Sequence, residues 1–245
     1  MASNFQIGLD AFRKGDYVIA LNEWNLLAEK GDVTAQFSLG LMYKTGQGVQ
    51  KDDEIAFSWF KIAAEQGYAD AQSNLGVMYD RGDGVSKNYN TAIKWYTYAA
   101  EQGHVAAQFN LGIMYETGKK IVRDYSAAIK WYTLAAEQGS VNAQHNLGSM
   151  YKNGNGVPQD YGVAFKWYSL AAEQGDAASQ ANLGLMYAEG QGTKQDLNFA
   201  YMWWDISASQ GDEIAIDNLK IFEEKMPSAE IESAQKFSYE YQNVH

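Results

Sequence analysis

Hydrophobic residues along the chain are spaced as they are on one face of a helix. Ala35, Leu39, Met42 and Tyr43 stand at positions i, i+4, i+7 and i+8. This spacing brings the four side chains to the same side of a helix. The pattern predicts an amphipathic helix that buries this side against another element.

A second stretch of the same kind follows, and we call the two predicted elements the first and the second helix. Ala56, Trp59, Phe60 and Ala63 share one face of the second helix. Asp52 precedes it, and an aspartate side chain at that place accepts hydrogen bonds from the unpaired N–H groups of a helix start. A capping residue stands at the matching place in each later stretch: Asn88, Asp124, Asp160 and Asp196.

The pair of helices recurs with a period of 36 residues. Each unit closes on a glycine: Gly31, Gly67, Gly103, Gly139, Gly175 and Gly211. A fixed period of roughly 20–50 residues is typical of a solenoid, in which each unit buries its apolar face against its neighbours. The sequence therefore predicts an all-α fold, a right-handed α/α superhelix of five helical hairpins with capping helices at both ends.

The period divides the chain into three regions. Residues 1–31 are predicted to form an N-terminal capping hairpin, 32–211 the five repeats, and 212–245 the C-terminal capping helices. In the last region, an amphipathic helix near 229–241 is expected to cover the final repeat. The five repeats span 32–67, 68–103, 104–139, 140–175 and 176–211.

A glycine stands inside every first helix, where it costs about 1 kcal/mol relative to alanine. These glycines are Gly40, Gly76, Gly112, Gly148 and Gly184. A close approach of the second helix would compensate for this cost. We expect Ala56 and its equivalents to be the residues that approach.

Composition excludes several classes of partner and of chemistry. The net charge is −11, and a surface of this sign repels phosphate backbones, so we expect no nucleic-acid partner. It favours a partner that carries Lys or Arg. No apolar run approaches the ~18 residues that span a bilayer, so no membrane insertion is expected. With no cysteine, the chain has neither disulfides nor thiolate chemistry.

The repeats follow the pattern A-x-A-Q-x-N-L-G-x-M-Y-x-x-G-x-G-V-x-x-D-Y-x-x-A-x-K-W-Y-x-x-A-A-E-Q-G. Residues 140–175 match it almost throughout, and 32–211 follow it directly. The pattern resembles the Sel-one-like repeat family, which is related to tetratricopeptide repeats. The resemblance implies an α-solenoid and a non-catalytic, monomeric scaffold or adaptor that binds a protein or peptide partner. It also implies an alternative, a bacterial envelope module for a peptidoglycan or glycan fragment.

In tetratricopeptide relatives the first helices line a concave groove. The matching positions vary here, whereas the Leu-Gly and Met-Tyr pairs beside them are nearly constant. The resemblance therefore implies a set of ligand-binding residues: Phe37, Asn74, Phe109, Asn110, Ile113, His145, Asn146 and Asn182.

The four asparagines of this set precede Leu-Gly in their repeats. In peptide-binding tetratricopeptide domains, an asparagine at this position holds the backbone of the bound peptide. A side-chain amide suits that role because it donates and accepts hydrogen bonds at once. The structural alternative is a hydrogen bond between neighbouring helices, and the sequence leaves both interpretations open.

Catalytic motifs occur in the sequence but in the wrong context. Lys44-Thr45-Gly46 and the S-x-x-K segment 233–236 match two of three serine β-lactamase motifs, and S-D-N is absent. A K-T-G belongs on a strand, whereas this one ends a predicted helix. Some Sel-one-like proteins have been linked to β-lactams, so a hydrolase is kept as a distant alternative. His104, His145 and His245 lack metal-ligand spacing, and we expect neither a metal nor a cofactor.

The cellular compartment depends on the native start of the protein. Residues 1–3 resemble a vector-derived extension, and the repeat pattern begins by Phe5. An apolar leader upstream of this point would indicate the bacterial periplasm or envelope. Without such a leader we expect a cytoplasmic protein.

Overall fold

The computed structural model describes residues 4–118 and 121–242 of the chain. These residues form fourteen α-helices and no strand, which confirms the predicted all-α class. The helices are α1 Asn4–Arg13, α2 Tyr17–Ala28, α3 Val33–Thr45, α4 Asp53–Glu65, α5 Ala69–Arg81, α6 Tyr89–Glu101, α7 Val105–Thr117, α8 Tyr125–Glu137, α9 Val141–Asn153, α10 Tyr161–Glu173, α11 Ala177–Glu189, α12 Leu197–Ser209, α13 Glu213–Lys225 and α14 Ser228–Gln242. The first helices of the five repeats are α3, α5, α7, α9 and α11, and the second helices are α4, α6, α8, α10 and α12.

The helices gather into two compact units. One unit runs to Arg123 and contains α1–α7, and the other starts at Asp124 and contains α8–α14. Within each unit, a first helix packs against its own second helix, and that second helix packs against the next first helix. Within each unit, neighbouring helices therefore bury their apolar faces against one another, as the period predicts.

The predicted helix caps are confirmed. The side chain of Asp52 accepts hydrogen bonds from the N–H groups of Glu54 and Ile55, both at 2.9 Å. The matching residues cap the other second helices through their side chains: Asn88, Asp124, Asp160 and Asp196. A cap of this kind contributes about 1 kcal/mol, because it satisfies donors that the helix itself leaves unpaired.

The glycines inside the first helices do make a close approach, but its main partner is an aromatic ring. A Cβ atom added at Gly148 would lie 2.8 Å from Cδ1 of Tyr168, a residue of the second helix. Gly40 has the same relation to Phe60, at 2.6 Å. The nearest atoms at Gly40 all belong to Phe60, so the ring and not Ala56 is the main partner there. Ala56 lies one turn before Phe60 on the same helical face, so periodicity alone could not separate the two.

Other glycines of this set meet aromatic rings in the same way. The partners are Tyr96 for Gly76 and Trp204 for Gly184. At Gly184 the backbone oxygen of Ala200, which is the counterpart of Ala56, also lies 3.0 Å from the added Cβ. Removing the side chain thus lets a large ring lie directly on the first helix, and this offsets the intrinsic cost of glycine.

Regular packing changes at α13. Lys220 stands where the earlier first helices have glycine, 36 residues after Gly184. A lysine side chain leaves no room for a ring from a following second helix. The last helix, α14, packs instead mainly on α12 and hardly on α13. Its Ala234 and Ser238 are buried there.

Candidate functional site

The candidate site is the set of variable positions on the first helices. In the α1–α7 unit, Phe37 is half-buried and its ring is held between two others. The ring centroids lie 5.5 Å from Phe60 and 5.1 Å from Tyr68. Phe37 therefore fills the junction between two repeats and exposes only part of its ring.

An apolar row lies one turn further along these helices. Leu41 on α3 is 38% exposed, and its counterparts Val77 on α5 and Ile113 on α7 are half-buried. Phe109 and Asn110, also predicted for the site, are half-buried on α7 beside Ile113. Each first helix of this unit thus offers part of one apolar side chain at the same register position.

Two asparagines of the site bond to their own helices. Asn74 donates from Nδ2 to the carbonyl of Asp70 at 2.8 Å, and Asn182 donates to that of Ala178 at 2.8 Å. In the first repeat, Ser38 replaces asparagine and makes the same bond to Thr34, at 2.8 Å. Asn110 and Asn146 are half-buried at the matching positions of α7 and α9. The bond to the fourth preceding residue fixes the orientation of the amide.

One asparagine also bonds to the neighbouring first helix. Asn182 accepts a hydrogen bond from Nζ of Lys152, 2.9 Å away on α9. Burial lowers the pKa of Lys152, and the negative charge of Glu189 acts in the opposite direction. The amide of Asn182 therefore links two repeats and still holds its bond within α11.

His145 joins two residues of the next repeat. Its Nδ1 lies 2.9 Å from Oγ of Ser179 and 3.3 Å from Oδ1 of Asp176. A catalytic triad needs the acid and the nucleophile on different ring nitrogens, but here both contact Nδ1. Ser179 is also fully buried. The group therefore cannot act as a nucleophile–base relay, and it couples α9 to α11.

A second histidine makes a similar connection in the other unit. Nδ1 of His104 accepts a hydrogen bond from the N–H of Ala107 at 3.1 Å and thereby caps α7. Its Nε2 lies 3.2 Å from Oδ1 of Asp70 on α5. Burial, with the charge and the hydrogen bond of Asp70, raises the pKa of Tyr68. Side chains at the edge of the first helices thus connect α5 with α7 in one unit and α9 with α11 in the other.

The residues of the K-T-G motif have structural partners. Nζ of Lys44 lies 2.8 Å from Oδ2 of Asp83, and this hydrogen bond lowers the pKa of the Asp83 carboxyl. The hydroxyl of Thr45 donates to the carbonyl of Leu41 at 2.8 Å. The motif lies at the end of α3, and Ser233 of the S-x-x-K segment is exposed on α14. The motif lies on a helix and not on the strand that a β-lactamase places there.

The repeat has a known family. The family model for the Sel1 repeat matches five consecutive segments, and together they cover most of the chain: 33–68, 69–104, 105–140, 141–176 and 177–212. The chain belongs to the Sel1 repeat family. The all-α solenoid predicted from the period is thereby confirmed. Sel1 repeats mediate protein interactions, and the family consists in general of non-catalytic scaffolds.

Two solved Sel1-type structures are similar to this Sel1 repeat protein. The protective antigen c5321 of uropathogenic Escherichia coli, which has an SLR fold, is 34% identical with a TM-score of 0.86. The match covers 98% of this chain and 53% of c5321, so this chain spans about half the length of that protein. A Sel1 repeat protein from Oxalobacter formigenes is 36% identical with a TM-score of 0.83, over 89% of this chain and 90% of that one.

A more distant structure shares the fold alone. The immunity protein PA5088 of Pseudomonas aeruginosa is 17% identical with a TM-score of 0.52, and the match covers 87% of this chain and 85% of that one. No curated protein matches the chain.

Two glutamines in each of four Sel1 repeats form a network that the sequence analysis missed. Gln144 on α9 is buried and donates to the carbonyl of Ala136 at the end of α8, 3.1 Å away. Its Oε1 accepts from Gln174 at the end of α10, 2.7 Å away. One side chain thus joins three helices. The same pairing recurs in other repeats: Gln36–Gln66, Gln72–Gln102 and Gln180–Gln210.

The signal for this network was present in the sequence. The first glutamine belongs to A-x-A-Q and the second to E-Q-G, and the pair is 30 residues apart in every repeat. A polar residue that recurs at a position predicted to be buried requires a partner, and another recurring polar residue is the natural candidate.

Among residues 4–118 and 121–242, no group of three His, Asp or Glu side chains is placed to hold a metal ion. His245 lies outside these residues. In the same part of the chain, no helix combines the length and the apolar character that crossing a membrane requires.

Proposed function

We propose that this Sel1 repeat protein is a non-catalytic scaffold that holds an extended segment of a partner protein against its first helices. The apolar row of Leu41, Val77 and Ile113 carries the proposal. These side chains differ between repeats, yet they occupy one register position beside the constant Met-Tyr pair. An extended chain could place one apolar side chain against each of them.

The asparagines supply the second element of such binding. Asn74 is held by its bond to Asp70, so its amide already has one orientation before a ligand arrives. A preorganised side chain loses little rotamer entropy when it forms a further hydrogen bond. This supports a role for Asn74 and Asn182 in holding a peptide backbone, in addition to their bonds within the protein.

Charge favours a partner segment with basic residues. Asp70, Asp80 and Glu116 lie among the variable positions of α5 and α7, and the side chain of Asp70 is 49% exposed. The net charge of −11 has the same sign. Attraction to Lys or Arg would raise the rate of association and fix the register of the bound segment.

The glycan-binding alternative receives less support. A sugar-binding face usually presents exposed aromatic rings, and Phe37 and Phe109 are half-buried. Within the described part of the chain, the exposed aromatic side chains are Tyr98 and Tyr239, on α6 and α14. The first helices therefore fit a peptide better than a carbohydrate.

Site-specific photo-crosslinking in source cells tests the proposal. We would place a photoreactive phenylalanine at Leu41 and, as a matched control, at Ile62 on α4, which is 43% exposed. We expect one partner to crosslink through position 41 and not through position 62. An Ile113→Asp variant should lose this product without losing its helical content.

Other outcomes contradict the proposal. A partner that crosslinks only through position 62 would place the interface on the second helices. Equal crosslinking at both positions would indicate an unspecific surface. If purified glycan fragments protected position 41 from crosslinking, the carbohydrate alternative would replace the peptide.

A further inference from the structure

The second helices present a tryptophan at a constant position, and two of these rings hold a lysine. Nζ of Lys130 lies 4.8 Å from the ring centroid of Trp131, and Nζ of Lys166 lies 5.6 Å from that of Trp167. A cation within about 6 Å of an indole centroid is attracted by the electron-rich face of the ring. In the third and fourth repeats, the protein itself thus places a cation on this tryptophan.

The fifth repeat has the ring but lacks the lysine. Met202 stands in the place of Lys130 and Lys166, and its side chain is fully buried. It packs in the core beneath α14 together with Leu183 and Trp203. The substitution is what allows α14 to cover α12, because a lysine there would have to be desolvated.

Trp203 lines a cavity that α14 completes. The cavity has a volume of about 580 Å³ and lies between the ends of α10 and α14 and the side of α12. Tyr241 of α14 lines it as well, and its ring centroid lies 6.5 Å from that of Trp203, with 57° between the ring planes. A cation beside this pair of rings, on the side that faces the cavity, can lie within about 6 Å of both centroids.

The remaining lining supplies charge and rigidity. Glu173, the last residue of α10, contributes a carboxylate at the edge of the cavity. Gln180 belongs to the glutamine network, with its Nε2 on Ala172 O at 3.0 Å and its Oε1 accepting from Gln210 at 2.7 Å. Its hydrogen bonds are thus already made within the protein. Trp203 is 8% exposed, so the cavity offers a ligand a small part of this ring, the ring of Tyr241 and one negative charge.

We propose that this cavity binds the cationic side chain of an arginine from a partner protein. A planar guanidinium can stack on an aromatic ring and donate to a carboxylate at the same time, which matches Trp203, Tyr241 and Glu173. The volume falls within the range of ordinary ligand pockets. The site belongs to α10–α12 and α14, and it does not depend on binding at the first helices.

Nuclear magnetic resonance of the tryptophan indole N–H groups tests the proposal on the full chain. The probe is the peptide acetyl-Gly-Arg-Gly-amide at 150 mM salt, and its neutral twin carries citrulline in place of arginine. The indole of Trp203 is assigned from a Trp203→Phe variant, and by triple-resonance spectra if that variant does not fold. We expect the arginine peptide to shift the Trp203 signal and the citrulline peptide to leave it unchanged.

Two substitutions locate the interaction. Glu173→Gln and Tyr241→Leu should each weaken binding of the arginine peptide about fivefold, because each removes one of the groups that face the cation. Glu137→Gln is the matched control, since Glu137 occupies the same repeat position on α8, where α14 provides no wall. It should leave the affinity unchanged.

The proposal is overturned if the Trp203 signal does not move with the arginine peptide. It is also overturned if citrulline shifts the signal equally, because the positive charge would then not be what the cavity recognises. The same holds if Glu137→Gln weakens binding as much as Glu173→Gln, since the effect would then reflect the net charge alone. Unchanged affinity in Tyr241→Leu would contradict the two-ring site.

Discussion

Replacing Gly148 with alanine tests the packing that the repeat is built on. Alanine at this helical position gains about 1 kcal/mol of helix propensity over glycine. The new Cβ, however, would lie 2.8 Å from Cδ1, 2.9 Å from Cε1 and 2.9 Å from Cγ of Tyr168. Real Cβ atoms do not approach a ring this closely, so the ring or the helix has to move.

Tyr168 has little room to move, because it is 2% exposed and packs with Ala164 and Met186. Overpacking a dense core costs about 1–3 kcal/mol of stability. The added Cβ would contact three ring atoms at once, so we expect a cost near the upper end of this range. After subtracting the gain in propensity, we expect a loss of about 2 kcal/mol, or about 4–8 °C in melting temperature for a chain of this size.

Urea denaturation and thermal melting, both followed by circular dichroism, measure the effect. Gly162→Ala is the matched control in the same repeat: its Cβ would meet only Oδ1 of Asp160, at 3.3 Å, and Gly162 is exposed. It should change the free energy of unfolding by no more than about 0.5 kcal/mol. Adding Tyr168→Leu to Gly148→Ala should make the alanine less costly than it is in the wild-type background.

The reasoning is refuted if Gly148→Ala is as stable as the wild type while Gly162→Ala behaves as expected. Glycine in the first helix would then have a role other than making room for the ring. Failure of the double variant to reduce the cost would also contradict it, since the coupling between residues 148 and 168 is the source of the predicted loss.

Three further predictions concern the rest of the structure. Gln144→Leu should lower the free energy of unfolding by about 2 kcal/mol, because the Ala136 carbonyl and the Gln174 amide lose a buried partner; an unchanged urea midpoint would contradict this. Burial raises the pKa of Tyr168 to about 12 from its ordinary value of 10.0, so the neutral form is favoured in the folded state. The contribution of Tyr168 to the free energy of unfolding should be intact below pH 10 and be lost as the pH rises from about 10 to about 12. In denaturation curves measured across this range, Tyr168→Phe should make the fall in stability shallower. Finally, the protein should not turn over nitrocefin; hydrolysis that disappears in Ser233→Ala would restore the β-lactamase alternative.

Local features of the fold could be predicted from the sequence because local sequence encodes them. Asp52 and Asn88 cap helices through neighbours two or three residues away, and such contacts follow from residue type and position alone. The number of repeats could also be predicted, because the 36-residue period is read directly from recurring residues. The sequence also carries a signal for the end of the regular packing, because Lys220 stands where the earlier first helices have glycine.

Contacts between repeats were harder to predict. The sequence placed Asn182 and His145 on the first helices, but their partners Lys152 and Ser179 are 30 and 34 residues away. Those pairs depend on side-chain rotamers and on the spacing of adjacent helices, which periodicity does not give. Phe60 and not Ala56 is the main partner of Gly40 because of the direction that its side chain takes along the helix. A repeat pattern does not predict side-chain directions.

Lys220 has a consequence for how such a protein can grow. Duplication of one unit between Gly31 and Gly211 would bring with it a glycine for the next ring and both glutamines of the network, so the array could lengthen by one repeat without new chemistry. A unit added after α13 would meet a lysine where its ring must lie. Lengthening is thus permitted within the array and blocked at this boundary, and a protein engineer who wants a longer version should insert before residue 212 or first restore glycine at position 220.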